Sequence, residues 1–272
     1  MKTVMITGCS SGYGKATAEH FLAQGWNVIA TMRKPYPDLL QGPAERLCVI
    51  PLDITDEDSI AHAVRLGQEA FGKINVLVNN AGIGLFSAFE ATPTATIREV
   101  FETNTFGVMA MTQAVIPLMR LAGEGMIINV TSSVCFAGMP LVAPYAASKF
   151  AIEGFTESLF YELDSIGLRV KLVEPGYGPN TRFTANAGDR MNGLVSPAYA
   201  AYAGQLMAQW ASPGAITEAQ DVADAIFAAA NDQSDQLRFA AGADSSHLAH
   251  ARWNSTDEQF LSGMRAMMRM KK

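Results

Sequence analysis

A chain of 272 residues, 49% apolar and 17% charged, holds ample core material for a soluble globule of one large domain or two small ones. Its net charge of −6 at pH 7, with no long run of Lys or Arg, argues against a nucleic-acid surface and against long-range steering of acidic partners. Cys9, Cys48 and Cys135 are scattered and odd in number, and His247 and His250 have no accompanying ligands, so no metal is expected and a reducing, cytoplasmic setting is.

The N-terminal "MKTVMITGCS" has no secretory pattern and enters a strand-like run. Short aliphatic or β-branched runs then recur at 3–6, 27–31, 48–51, 75–79, 126–130, 169–174 and 237–242. Near-continuous apolar runs of this length are expected of strands buried on both faces. Segments of helical spacing separate them. Gly14, Ala18, Phe21 and Leu22 share one face, with Gly25 placed as a C-terminal cap. Asp53 lies in "LDIT", and Thr55 or Asp56 suits the N-cap of a helix whose stripe includes Ile60 and Val64. Two uncharged stretches, Thr103–Met119 and Gly125–Ser148, are broken by polar residues, Gly or Pro, and are expected to be buried elements rather than membrane spans.

Strand–helix alternation predicts right-handed crossovers and an α/β, doubly wound, Rossmann-like parallel sheet of about seven strands within a single domain, 1–272. Residues 177–213 interrupt the rhythm with Gly, Pro, Met, Tyr and Ala, and are expected to form a substrate lid. That segment carries Tyr177, Phe183, Met191, Leu194, Tyr199, Tyr202, Met207 and Trp210.

"TGCSSGYG", Thr7–Gly14, follows the first strand and opens the first helix. Gly8 permits a sharp turn, Gly12 lets backbone approach a pyrophosphate, and Gly14 lets the helix pack close to the sheet. The helix N-terminus then offers unpaired N–H groups to phosphate. "YAASK" sets Tyr145 and Lys149 on one helical face, with Pro144 in the first turn. An ammonium about 4 Å from a phenol, in a medium of intermediate dielectric, contributes roughly 4 kcal/mol, so the tyrosine pKa is expected to fall toward neutrality.

The Thr-Gly-x-x-x-Gly-x-Gly loop, "NNAG" at Asn79–Gly82, a serine after "IINV" and Tyr-x-x-x-Lys occur in order, and together they resemble the short-chain dehydrogenase/reductase family from residue 3 to about 176. The resemblance implies hydride transfer between a nicotinamide dinucleotide and a small-molecule ketone or secondary alcohol. It implies Asn104, Ser132, Tyr145 and Lys149 as the catalytic set, with Ser132 favoured over Thr131 and Ser133 by the pattern. Implied cofactor contacts are Gly8, Ser10, Ser11, Gly12, Tyr13, Gly14, Asp53, Asn80, Ala81, Gly82, Tyr145, Lys149, Pro175, Gly176 and Thr181. Asn180 competes with Thr181, because the Thr lies one place later than the usual spacing. Tyr13 stands where an aliphatic residue is usual.

Where the family's NAD-selecting acid is sought, after the second strand, stand Arg33 and Lys34; a guanidinium can fork onto a 2′-phosphate, so NADP(H) is expected over NAD(H). The pocket wall is expected to include Ser132, Val134, Phe136, Met139, Tyr145 and Tyr177, facing an apolar or aromatic substrate. A homodimer or homotetramer is also implied, with no nucleic-acid or membrane partner. The other readings are a catalytically silent dinucleotide-binding regulator and a lyase or epimerase of the same family.

Overall fold

The aliphatic runs form seven parallel strands, the inner five buried on both faces and the two edge strands partly exposed. These are β1 (Thr3–Thr7), β2 (Asn27–Met32), β3 (Leu47–Pro51), β4 (Val76–Asn79), β5 (Met126–Val130), β6 (Arg169–Pro175) and β7 (Arg238–Ala241), in the order β3-β2-β1-β4-β5-β6-β7. The computed structural model describes all residues except 37–38, 182–187, 189, 212–213 and 269–272; Phe183 is therefore outside the described residues.

Alternation along each strand sorts the core into two layers. Val4 and Ile6 pack with Phe21 and Leu22 of α1 (Gly12–Ala23) and with Val222 and Ile226 of α7 (Ala219–Asn231). Met5, Leu77 and Ile127 face the other way, onto Ile60 and Val64 of α2 (Glu57–Phe71) and Met111 and Val115 of α4 (Gly107–Ala122). Leu159 and Leu163 of α5 (Ala143–Asp164) complete that layer. Asp56 caps α2, accepting from the N–H groups of Asp58 (2.9 Å) and Ser59 (3.2 Å).

Helix α4 continues α3 (Thr94–Phe101) through a π turn at Glu102–Phe106. The joined helix, Thr94–Ala122, is long and apolar enough by length and composition to cross a membrane. Here it lays Val100, Val108, Met111, Val115 and Met119 into the core. Across the same layer runs a buried amide chain. Asn79 donates to Thr112 of α4 (3.0 Å) and to Asn129 (2.9 Å), and Asn129 donates to Thr156 of α5 (2.9 Å). These bonds hold two helices in register over β4 and β5. The remaining helices are α6 (Pro197–Trp210), α8 (Ala243–Trp253) and α9 (Asp257–Met268).

Strands β1 and β4 leave their shared end in opposite directions, toward β2 and toward β5, so a crevice opens beyond their C-terminal ends. Beneath it lies a buried ionic cluster. Glu153 of α5 accepts from Thr131 Oγ1 (2.6 Å) and Arg238 of β7 (3.1 Å), and Arg238 also donates to Glu157 (2.6 Å). Arg238 Nε stands 3.4 Å from Glu174, whose carboxyl is fully buried and makes no hydrogen bond. Burial, reinforced by the Glu153 charge and opposed by Arg238, pushes Glu174 up to about 9.

The folded chain therefore holds a proton at Glu174 that the unfolded chain releases above about pH 4.3. A raised carboxyl pKa contributes stability below that value, and the contribution is lost as pH climbs to about 9. Glu174→Gln is thus expected to match the native protein in thermal stability at pH 4.5 and to exceed it increasingly up to pH 9. Parallel curves of melting temperature against pH for the two proteins would contradict this.

Candidate active site

The glycine loop reaches the crevice by close backbone approach. Gly8 has φ +78°, and a Cβ there would stand 2.9 Å from Ala81 Cα. A Cβ on Gly14 would stand 2.3 Å from Gly8 O and 2.5 Å from Asn80 Nδ2. Asn80 accordingly has its side chain on this turn, donating to Thr7 O (2.9 Å) and Gly8 O (3.3 Å), while Thr7 Oγ1 accepts the N–H groups of Asn80 and Ala81 (3.0 Å each). Ser11, at the N-cap of α1, makes no side-chain capping bond, so the first N–H groups of the helix face the cleft without a side-chain acceptor. Unpaired N–H groups and close-approach glycines fit a pyrophosphate.

The cleft, about 2110 Å³, extends from this loop across the C-terminal edge of the sheet. Gly8, Ser10, Ser11, Gly12, Tyr13, Arg33, Asp53, Asn80, Ala81, Gly82, Pro175, Gly176 and Thr181 all line it; Gly14 sits behind the turn and Asn180 turns away, donating to Glu218 (3.0 Å). Thr181 lies over Gly12, its Cβ 3.5 Å from where a side chain there would begin. Arg33 is exposed at the lip beyond β2. Desolvation raises the Asp53 carboxyl, but two hydrogen bonds from Thr55, helped by the Arg33 charge, hold it below the usual range. Across the lip Arg190 donates to Glu99 of α3 (2.6 Å).

Ser132, Tyr145 and Lys149 gather where β5 ends. Ser132 is extended (φ −174°), and its Oγ accepts from Val134 N–H (3.3 Å). It also hydrogen-bonds Tyr145. Pro144 lies in the first turn of α5, which places Tyr145 and Lys149 one turn apart and buried. Lys149 Nζ donates to Val130 O (3.0 Å). Its ammonium is pulled down to about 8 by burial, against the opposing charges of Cys135 and Glu153.

The expected lowering of the tyrosine pKa is not what this geometry produces. Burial pushes the Tyr145 phenol above its ordinary value, and the hydrogen bond with Ser132 only partly offsets this. Lys149 points its ammonium at the Val130 carbonyl, so desolvation governs the phenol.

Asn104 sits in the π turn, fully buried. Its Oδ1 accepts from Ile83 N–H (2.8 Å), and its Nδ2 donates to Ile83 O (2.9 Å) and Ser148 Oγ (3.1 Å). Ser148 in turn donates to Tyr145 O (2.7 Å). A Cβ on Gly82 would stand 3.2 Å from Asn104 Oδ1 and 3.5 Å from Lys149 Nζ, so both groups converge behind that glycine.

The apolar wall is made by Val134, Met139, Tyr177, Met191, Met207 and Trp210. Phe136 does not line it: the side chain turns inward and is 4% exposed. Leu194 joins Leu85 and Val100 in the core, and Tyr202 donates to Met268 O (3.0 Å), so neither faces the cleft. Missing from the sequence reading was the far wall, where α8 and α9 contribute Leu248, Phe260, Met264 and Met267. The apolar spacing of Phe260 and Met264 on a short C-terminal helix was its one available signal. Among the described residues no group of His, Cys, Asp and Glu is placed to hold a metal ion.

A short chain dehydrogenase family model matches residues 2–192. The 3-ketodihydrosphingosine reductase of Bacteroides thetaiotaomicron is 41% identical over 183 residues, 67% of this chain and 66% of that protein's length. An uncharacterized oxidoreductase of Bacillus subtilis is 35% identical over 253 residues, 89% of each chain. A solved short chain dehydrogenase from Burkholderia cenocepacia, in complex with NADP, superimposes with a TM-score of 0.76 at 26% identity, covering 100% of both chains. With the glycine loop, the Ser132–Tyr145–Lys149 cluster and the seven-stranded sheet, these matches make the chain a member of the short-chain dehydrogenase/reductase family of NAD(P)-dependent oxidoreductases.

Proposed function

We propose that the protein is an NADP(H)-dependent oxidoreductase acting on a ketone or secondary alcohol with an apolar body, with Tyr145 as general acid/base. The observation that carries this reading is the burial of Ser132, Tyr145 and Lys149 together in the cleft that the glycine loop enters. When bound, the dinucleotide supplies or accepts the hydride. Gly8 through Gly14 hold its phosphates, and Pro175, Gly176 and Thr181 bound its other end.

Ser132 Oγ is positioned to donate to the substrate oxygen beside the phenol, and Tyr145 gives that oxygen its proton in the reductive direction. A phenol held neutral by burial is in the form that reduction needs. Lys149, a buried cation on the same face of α5, stabilises the phenolate left behind. Asn104 and Ser148, bonded to each other and to the Tyr145 carbonyl, hold the wall behind Lys149.

Arg33 supports NADP over NAD: it stands exposed at the lip beyond β2, where a 2′-phosphate can accept its forked donors. Similar solved structures hold NADP, NADH or NAD, and so support a nicotinamide dinucleotide without choosing between them. The apolar cleft wall, with Trp210 of α6 packed edge-on to Phe86 (5.5 Å), supports 177–213 as a lid over an apolar substrate. The ketone reduced by the similar Bacteroides enzyme, by its name, agrees with a carbonyl substrate. Phe106 and Phe150, 53% and 47% exposed, offer the apolar contact from which a homodimer or homotetramer is built.

Tyr145→Phe is expected to keep dinucleotide affinity while turnover falls by about 10²- to 10⁴-fold, the usual contribution of a general acid/base. Native-like turnover of this variant on any carbonyl substrate would rule out the assigned proton donor. If the native protein binds dinucleotide yet turns over nothing in a broad ketone and alcohol panel, the silent-regulator reading takes its place. Arg33→Ala is expected to raise KM for NADPH by about 10- to 100-fold, the equivalent of a charge-assisted hydrogen-bond pair, and to leave NADH little changed. Equal use of the two dinucleotides by the native protein would remove the basis for NADP selection.

A further inference from the structure

The segment 175–181 leaves β6 and crosses the cleft above the glycine loop. Its outer side is tied by polar bonds. Tyr177 N–H donates to Asp244 of α8 (2.6 Å), Tyr177 O accepts from Thr217 N–H (2.8 Å), and Asn180 bonds Glu218. Its inner side meets the glycine loop at two places. One is the Thr181 side chain over Gly12. The other is Gly178, where a Cβ would stand 2.1 Å from the Tyr13 phenol oxygen and 3.0 Å from its Cζ. Gly178 is not among the residues with positive φ, so its backbone does not demand glycine. The space that a side chain there would fill is taken by the Tyr13 phenol.

We infer that Tyr13 is a latch: its ring, docked on Gly178, joins the phosphate-binding loop to the Pro175–Thr181 strap and sets how fast a dinucleotide held between them is released. The inference rests on the dinucleotide reading of this cleft. The two jaws of the cleft are the glycine loop on α1 and the strap on β6. A ligand with phosphates on the first and its other end under the second leaves only when the jaws part. A van der Waals joint made by one side chain can open without breaking the polar ties on the strap's outer side. Burial, with Tyr145 and Asp244 nearby, holds the Tyr13 hydroxyl neutral, so the joint carries no charge and is insensitive to salt. Tyr13 is thus a positioning residue acting on the strap.

Stopped-flow fluorescence of NADPH and NADH release tests this, using whichever dinucleotide the native protein holds more tightly. Tyr13→Ile is expected to speed release by about tenfold, since changes at one interface appear mainly in the off-rate. Gly178→Ala, which forces the ring away, is expected to do the same. The double variant is expected to release no faster than either single one, because both changes break the same contact. Tyr13→Phe, which keeps the ring and removes the atom nearest Gly178, is expected to blunt the effect of Gly178→Ala; if Tyr13→Ile does not fold, this pair carries the test, and release as fast in the Tyr13→Phe, Gly178→Ala double variant as in Gly178→Ala alone overturns the latch. Unchanged release in Tyr13→Ile, or multiplicative effects of the two changes, overturns the latch while leaving the dinucleotide reading intact. Failure of the native protein to bind either dinucleotide overturns both.

Discussion

The contact on which the site depends is the approach of β1 to β4 at the point where the sheet reverses its winding. Gly8 and Ala81 come so close that neither tolerates a larger side chain toward the other, and Gly14 is pressed against the carbonyl of Gly8. That compression turns the chain immediately into α1 and aims the helix N-terminus at the crevice. Thr7 and Asn80 lock the turn by hydrogen bonds between the two strand ends. If the strands stood one residue width further apart, the helix dipole and its unpaired N–H groups would not face the same space as β5, and the glycine loop and the Ser132–Tyr145–Lys149 cluster would not share one cleft.

The second half of the site is buried, and its electrostatics follow from that. Burial disfavours the charged forms of both Tyr145 and Lys149, raising one and lowering the other. The countercharges lie below the cleft, in Glu153 and its partner Arg238, and not between the two residues themselves. The protein thus starts from a neutral phenol beside a lysine poised near neutrality, a state suited to giving up a proton to a newly formed alkoxide. Asn104, fully buried, sits in the π turn. An amide inside a straight helix would contest the backbone bonds, whereas the widened turn frees Asn104 to grip Ile83 on both its N–H and its carbonyl.

Much of this was legible in the residues. All seven strands lie where the apolar runs put them, within a residue or so at each end, because the five inner strands are buried on both faces and the two edge strands still carry short aliphatic runs. The glycine loop was legible because its three glycines answer steric demands that no other residue meets. The chain order of "NNAG", Ser132 and Tyr-x-x-x-Lys pointed to the Ser132–Tyr145–Lys149 cluster where β5 ends. What could not be read were consequences of distant chain segments meeting. Glu153, Glu174 and Arg238 come from three elements, and nothing local marks them as one cluster. Helices α8 and α9 form the far wall only because the strap and Asp244 bring them back over the sheet. The Lys149 ammonium turns to a carbonyl of β5, a choice that spacing along α5 does not specify. Phe136 was expected in the wall from the family resemblance, but beyond the short turn after Ser132 it is buried in the core.

The central claim is that one cleft joins a nicotinamide dinucleotide to Tyr145. A crystal structure of the protein soaked with NADP tests it most directly. The account predicts the pyrophosphate against the backbone of Gly12 and Tyr13, the 2′-phosphate on Arg33, and the nicotinamide ring between Gly176 and the Ser132–Tyr145 pair. A dinucleotide bound elsewhere, or bound here with its nicotinamide turned away from Tyr145, would contradict it.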